Sequence, residues 1–321
     1  MTLATSLGTV TVGHGCGDVD ILDHDSDLGL AVEDALRIGD GRVTLLGGTY
    51  PPPRTTIRIG SGQSLVGHGS PVIESHPVLT VDLEGTAPLL RDVTITDQAA
   101  PSSALVQAMG FESARLENVR FIPNHGSTTC IQAMDGRDLH VTGCYAGPPS
   151  LRDGSQALAW RVLDTDAVEG GTITGNTFSH IGTEASPVGA IIRMVSTNHE
   201  QHHFRIANNS IERIVRGDAG RVIELEGGRF TTITGNGIGR CEGIAAAIRI
   251  GTAAGFKGSG NVISSNEIHN VGCPVVSLEG VKHTKVSGNV FTLLPKNHGA
   301  TVIQDGACVG NEVSGNLEAE K

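Results

Sequence analysis

The sequence predicts a single right-handed parallel β-helix, an all-β solenoid closed at its N-terminal end by one α-helix. Three observations carry this. A six-residue apolar motif centred on Asn recurs through the second half of the chain; the intervening segments alternate with a period of two; and glycine makes up 44 of 321 residues. That composition, with aliphatics plentiful and charged residues at 18%, excludes a disordered chain or a coiled coil. Aromatics at 3% mean that the core is aliphatic.

Residues 1–40 read as an N-terminal segment with a capping helix, and 41–321 as the solenoid. Asp27 precedes Leu28, Val32, Ala35 and Leu36 at helical spacing, and Gly39 follows, so 27–39 reads as an amphipathic helix with an acidic N-cap and a glycine stop. It would cover the open strand edges of the first turn. Gly41 to Tyr50, the prolines at 51–53, and Thr56 to Gly69 then form the opening turns. Leu90 to Ile95, Leu116 to Phe121 and Val141 to Ala146 keep the apolar spacing of the motif, with Val93, Val119 and Cys144 at its fourth position.

From there the fourth position is Asn: Asn176, Asn209, Asn236, Asn266, Asn289 and Asn316, as in Ile173-Thr-Gly-Asn176-Thr-Phe178. Spacings between successive anchors run from 23 to 33 residues, as loops of varying length on a fixed rung would give. Leucine-rich repeats and propeller blades have other signatures. Stacked in a coil, the Asn amides would bond one another along the axis, which makes them scaffold. A second run in each turn, such as Ile192-Arg-Met, Ile223-Glu-Leu and Ile248-Arg-Ile, reads as a strand with one side chain outward. Aligning these runs gives an exposed column of Gln107, Gln132, Arg161, Arg193, Glu224, Arg249, Ser277 and Gln304, with Trp160 and Val162 turned inward.

The helix, the Gly-x-Val-x-Leu-x-Gly-Gly-Thr-Tyr50 strand and the Ser61-Gly-Gln-Ser-Leu-x-Gly-x-Gly69 turn resemble the opening of the pectate-lyase-like superfamily, which includes bacterial β-helix proteins and phage tailspikes. The resemblance extends over about Asp27 to Asn316. It implies the right-handed β-helix and leaves the chemistry open, because that fold hosts lyases, glycosidases, epimerases, isomerases and non-catalytic spikes. The polygalacturonase set of Asn-Thr-Asp, Asp-Asp, Gly-His-Gly and Arg-Ile-Lys is incomplete, since His14 and His68 sit in Gly-His-Gly without the acidic motifs ahead of them. The motifs of alginate epimerases and of the chondroitinase B group are missing.

The outward column is where chemistry is expected. Glu224, Arg193 and Arg249, together with His199, are the candidate catalytic residues, and Arg161, Asp164, His202, His203 and Glu226 the candidate substrate-binding ones. Guanidinium groups at strand spacing could hold carboxylates or sulfates, with Glu224 transferring a proton between them. The same residues read equally as an exposed salt-bridge ladder. The His199-Glu-Gln-His-His203 loop could supply an acid or base, but it is not a His-Glu-x-x-His metal motif, and adjacent histidines on a strand would diverge. A further basic stripe is His180, Arg213 and Arg240. No cofactor and no metal is implied.

Six scattered cysteines, with no Cys-x-x-Cys, read as buried thiols, with a Cys241–Cys273 bridge conceivable on adjacent turns. The net charge of −11 argues against a nucleic-acid partner, and no apolar run suits a membrane helix. No signal peptide is recognisable, so a cytoplasmic chain, or a secreted one supplied in mature form, is expected. Three functions follow: a lyase or hydrolase on an acidic polysaccharide or oligosaccharide, an intracellular isomerase or cyclase on a small metabolite, or a non-catalytic homotrimeric spike.

Overall fold

The structure is a computed structural model that describes residues 10–13, 21–22, 27–75, 78–97, 104–125, 127–150, 156–183, 188–197, 202–253, 255–271, 274–293 and 300–320. Among them the named strands pair only in parallel, each with its counterpart one turn away, so the chain winds as a solenoid. Three sheets run along its axis. Sheet 1 includes Thr129–Met134, Arg161–Asp166, Val188–Val195, the end of Ser210–Glu226, Glu242–Gly251 and Val276–Glu279. Sheet 2 includes Arg137–Thr142, Glu169–Thr174, Phe204–Ala207 and Thr232–Thr234, and sheet 3 includes Tyr145–Ala146, Thr177–Ile181 and Gly237–Gly239.

Inward side chains of the three sheets make one continuous aliphatic core. Ile131, Leu163, Ile192, Ile223, Ile248 and Val276 occupy successive rungs of sheet 1 and are fully buried. Each such side chain removed from water contributes on the order of 1.5–3 kcal/mol before chain entropy is set against it.

The Asn column lies at the corner between sheets 2 and 3. Asn176 Nδ2 donates to Asn209 Oδ1 at 2.9 Å, and the same bond repeats through Asn236, Asn266, Asn289 and Asn316. Each Nδ2 also donates to a backbone carbonyl of the preceding turn, and each Oδ1 accepts a backbone N–H as well. A buried amide thereby fills all four of its bonding positions, which is what permits a polar column inside the coil. Val93, Val119 and Cys144 occupy the same place in earlier turns and are buried. A shorter column at the corner between sheets 1 and 2, Asn261 and Asn311, bonds the backbone in the same way without a repeating sequence motif.

The predicted helix is Leu28–Ile38. Asp27 accepts from the Gly29 N–H at 3.2 Å, and the Gly39 N–H closes the last turn on the Ala35 carbonyl. Leu28, Ala31, Val32, Ala35 and Leu36 are its buried face. A strand before it, Val10–Gly13, pairs in parallel with Arg42–Leu46, so the helix packs on a coil that already has a rung on its N-terminal side. Cys130, Cys144 and Cys308 are free thiols, whereas Cys273 lies outside the described residues.

Candidate functional site

Sheet 1 carries the charged face, but its register differs from the sequence expectation at two places. The outward column is Gln107, Gln132, Asp164, Arg193, Glu224, Arg249, Ser277 and Ile303, half-buried except for Ser277, which is buried. Asp164 stands where Arg161 was expected, and Ile303 where Gln304 was. For Arg161 the cause is a bend near the start of these strands, where two consecutive residues turn inward: Val162–Leu163, Ile191–Ile192, Val222–Ile223, Ala247–Ile248 and Val275–Val276 are all buried. The Ala247 and Ile248 N–H groups share the Val275 carbonyl, which marks a bulge. Strict alternation fails across it, so Arg161 belongs to the row of Thr129, Ala190 and Arg221. Trp160, expected inward, is 42% exposed.

Arg161 nevertheless reaches the column. Its Nη1 pairs with Asp164 Oδ2 at 2.7 Å, and Arg193 Nη1 meets the other oxygen of Asp164 at 3.3 Å. Arg193 also approaches Glu224 at 3.9 Å and Glu226 at 3.5 Å. Arg249 Nη1 donates to both Glu224 Oε1, at 3.0 Å, and Glu226 Oε1, at 2.9 Å. Because both Oε1 atoms touch one nitrogen, they lie no more than about 6 Å apart, a bound that admits the roughly 5–5.5 Å between carboxyl groups in retaining glycoside hydrolysis. The remaining Arg249 contacts go to Glu279, at 2.6 and 2.9 Å, and Ser277 donates to Glu279 at 3.1 Å.

These side chains are half-buried, so their pairing is less screened than at an open surface. The hydrogen bond to Glu279 fixes the Arg249 guanidinium in its charged form, raising its pKa; burial opposes this, and the bond to Glu226 and the charges of Glu279 and Glu224 outweigh it. The reciprocal bond holds the Glu279 carboxyl below its ordinary value. Three guanidiniums, of Arg161, Arg193 and Arg249, thus face four carboxylates, of Asp164, Glu224, Glu226 and Glu279. The arginines are engaged by the protein's own acids.

The histidine loop stands at the corner beside this face. His199 lies outside the described residues. His202 and His203 converge instead of diverging, with their Nδ1 atoms 2.9 Å apart, because His203 adopts φ +61° and leaves the strand path. His202 Nε2 faces Glu169 at 3.9 Å, and His203 stacks on Phe230. A cleft of about 540 Å³ opens here, lined by Phe111, Asp135, Arg137, Glu169 and His202 among others. It is separate from the Glu224–Arg249 cluster. Among the described residues no three His, Cys, Asp or Glu side chains are arranged to hold a metal ion.

On the opposite corner, Ser179 Oγ is 2.6 Å from His180 Nδ1, and Arg213 Nη1 is 2.7 Å from His180 Nε2. Arginine can only donate, so Nε2 is the acceptor and Nδ1 carries the proton that bonds Ser179. Burial, then the neighbouring Arg213, lowers the His180 pKa and keeps this neutral form. The imidazole therefore cannot take the serine proton, and the pair is not a nucleophile and base.

No family model matches the sequence, and no curated protein matches it. Solved structures do. The Dettilon tailspike protein superimposes over 92% of this chain with a TM-score of 0.62 at 17% identity, and this chain spans 59% of that protein's length. DFA-IIIase from Arthrobacter chlorophenolicus A6, solved with GF2, matches 92% of this chain and 84% of its own, with a TM-score of 0.57 at 12% identity. The fold is the pectate-lyase-like right-handed β-helix. Endo-xylogalacturonan hydrolase from Aspergillus tubingensis shares it over 97% of this chain and 93% of its own, with a TM-score of 0.51 at 12% identity. At these identities the likeness is one of fold, and the pectate-lyase-like coil leaves the chemistry to the side chains on its faces.

Two features of the site were absent from the sequence reading: the exposure of Trp160 and the part Glu279 takes in holding Arg249. The apolar doublets that bend each strand are visible in the sequence, and phasing the column on them would have moved Asp164 into it and turned Trp160 outward.

Proposed function

We propose that the protein is a carbohydrate-active enzyme of the glycoside hydrolase type, binding a glycan across sheet 1 and using Glu224 and Glu226 as its carboxylate pair. The observation that carries this is the pair itself: two carboxylates whose Oε1 atoms lie within about 6 Å, both accepting from Arg249 Nη1 on a half-buried face. In this reading Glu224 protonates the glycosidic oxygen while Glu226 attacks the anomeric carbon and the bond to the leaving sugar breaks. Glu224 then deprotonates a water that cleaves the glycosyl ester, returning both groups to their starting states. Arg193 and Arg249 are the positioning residues, fixing both carboxylates from either side. Sugar-acting proteins among those sharing the fold, such as the xylogalacturonan hydrolase, support it as analogy.

A lyase would need guanidiniums free to neutralise a uronate, and those of Arg161, Arg193 and Arg249 are already paired, so hydrolysis is favoured. The test is product formation on a panel of neutral and acidic glycans, reading new reducing ends and the ultraviolet absorbance of unsaturated uronate. Reducing ends without absorbance, falling 100-fold or more in Glu224→Gln and in Glu226→Gln, are expected. Absorbance from an acidic glycan, unaffected by either change, would sink the proposal. Assembly into a homotrimer is a separate proposal, checked by light scattering against a protomer of 33.3 kDa.

A further inference from the structure

Trp160 is the only tryptophan in the chain. It sits where sheet 1 begins, one residue before Arg161, with 42% of its surface exposed in a protein whose other aromatics are few. Its six-membered ring lies over Gly189 of the next turn, where a Cβ would fall 2.8 Å from the nearest ring carbon. Only glycine lets the ring rest flat there, so one face is backed by main chain. The Arg161 guanidinium stands over the ring, 5.5 Å from its centroid, and is itself fixed by Asp164 at 2.7 Å. With main chain against it and the guanidinium over it, the indole is restrained before any ligand arrives while 42% of its surface stays open, and such preorganisation lowers the cost of binding.

What it would bind follows from the charges beside it. An aromatic face is electron-rich, and the neighbouring cluster sets four carboxylates against three guanidiniums, each already engaged. A uronate or sulfate laid across this face would meet Asp164 and Glu226, whatever the protonation of Glu224, with no unpaired cation among those three arginines to offset the repulsion. A neutral pyranose or furanose, with its C–H face on the indole and its hydroxyls toward the carboxylates, meets neither obstacle.

We infer that Trp160 is a sugar-stacking platform adjoining Asp164 and that the glycan taken there is uncharged. This rests on sheet 1 being the glycan face, and replaces the acidic substrate expected from the sequence.

The experiment uses the Glu224→Gln full chain, in which binding is read without turnover. The single tryptophan makes its emission a report on this position alone. It is titrated with nigero-, malto-, cello-, xylo- and fructo-oligosaccharides and with oligogalacturonate, and calorimetry is run on the same set. A saturable emission change with at least one neutral probe is expected, with none from oligogalacturonate. By calorimetry, Trp160→Ala should weaken that probe roughly tenfold while Trp160→Phe retains most of the affinity. Gly189→Ala, which keeps the indole but pushes it off its seat, should weaken the probe as well. No emission change with any neutral probe, tighter binding of oligogalacturonate, or unchanged affinity in Trp160→Ala would each overturn the inference. Saturable binding in a protein that cleaves nothing would leave it standing and remove the hydrolase. Cleavage that needs Glu224 but is indifferent to Trp160→Ala would do the reverse.

Discussion

Asn236 is bonded on every side. Its Oδ1 accepts from the Asn209 backbone and side chain, and its Nδ2 donates to Ile206 and Asn266. Asn236→Leu keeps the volume but strands two donors on Asn209 and takes the side-chain donor from the Ile206 carbonyl, while Asn266 Oδ1 keeps the backbone N–H of position 236; each buried orphan costs about 1–3 kcal/mol. A loss of at least 2–3 kcal/mol in urea unfolding is expected. Asn316→Ala, on the exposed last rung, should cost under about 1 kcal/mol in the same assay, since water replaces the lost partners. Cysteines divide similarly. Burial pushes the Cys144 thiol up to about 12, and Cys130 is raised for the same reason, whereas Cys308 is only partly buried. Brief alkylation of the native protein should therefore label Cys308 ahead of Cys130 and Cys144, as peptide mass mapping would read.

At the scale of elements, the helix depends on its first residue. Asp27 accepts from Gly29 and also from the Arg54 N–H at 3.2 Å, tying the cap to the opening turns. Asp27→Ala should cost about 1 kcal/mol or somewhat more, seen as a lowered thermal midpoint with the strand spectrum unchanged. The helix and the rungs were legible in the sequence because each rests on a local signal, a cap and stop in one case and an apolar motif around Asn in the other. The strand register of sheet 1 was only half legible. The rows Arg193, Glu224 and Arg249 came out correctly because their inward partners flank them singly on the C-terminal side, whereas Arg161 fell across the bend formed by Val162 and Leu163. Side-chain reach then brought Arg161 back to Asp164, a contact no periodicity encodes. The meeting of His202 with His203 was invisible for a like reason, since it depends on one left-handed residue.

Over the whole molecule, the charged face links stability to pH. Arg249, by its hydrogen bonds, holds the Glu279 carboxyl below the ordinary 4.5, so the folded chain binds that proton less tightly than the unfolded one. The pair's contribution is present above 4.5 and is lost as pH falls through the lower folded value. Asp97 has the opposite sign: burial raises its pKa, so its contribution is greatest below the ordinary 3.8 and declines as pH rises through the folded value. Glu279→Gln should accordingly flatten the acid limb of a stability profile followed by urea midpoints from pH 3 to 7. A limb as steep as that of the unaltered protein would show that Glu279 does not set it.

The amide column has a direction. From Asn176 to Asn289 one Nδ2–H of each amide donates to the Oδ1 of the next turn, so the side-chain bonds ending at Asn316 run head to tail, and each bond polarises its neighbours. Such a series is selective about its members: a turn can join only by both giving and receiving, which Asn does and Asp, Leu or Val cannot. Turns with Val93 and Val119 need neither, because their neighbours ask for neither. The coil is thus two solenoids in one, an apolar length and a polarised length. They meet where the Cys144 backbone N–H, donating to Asn176 Oδ1 at 2.8 Å, terminates the series without a side chain. Duplicating a turn within either length preserves the chain of dipoles, whereas transplanting one across that junction breaks it.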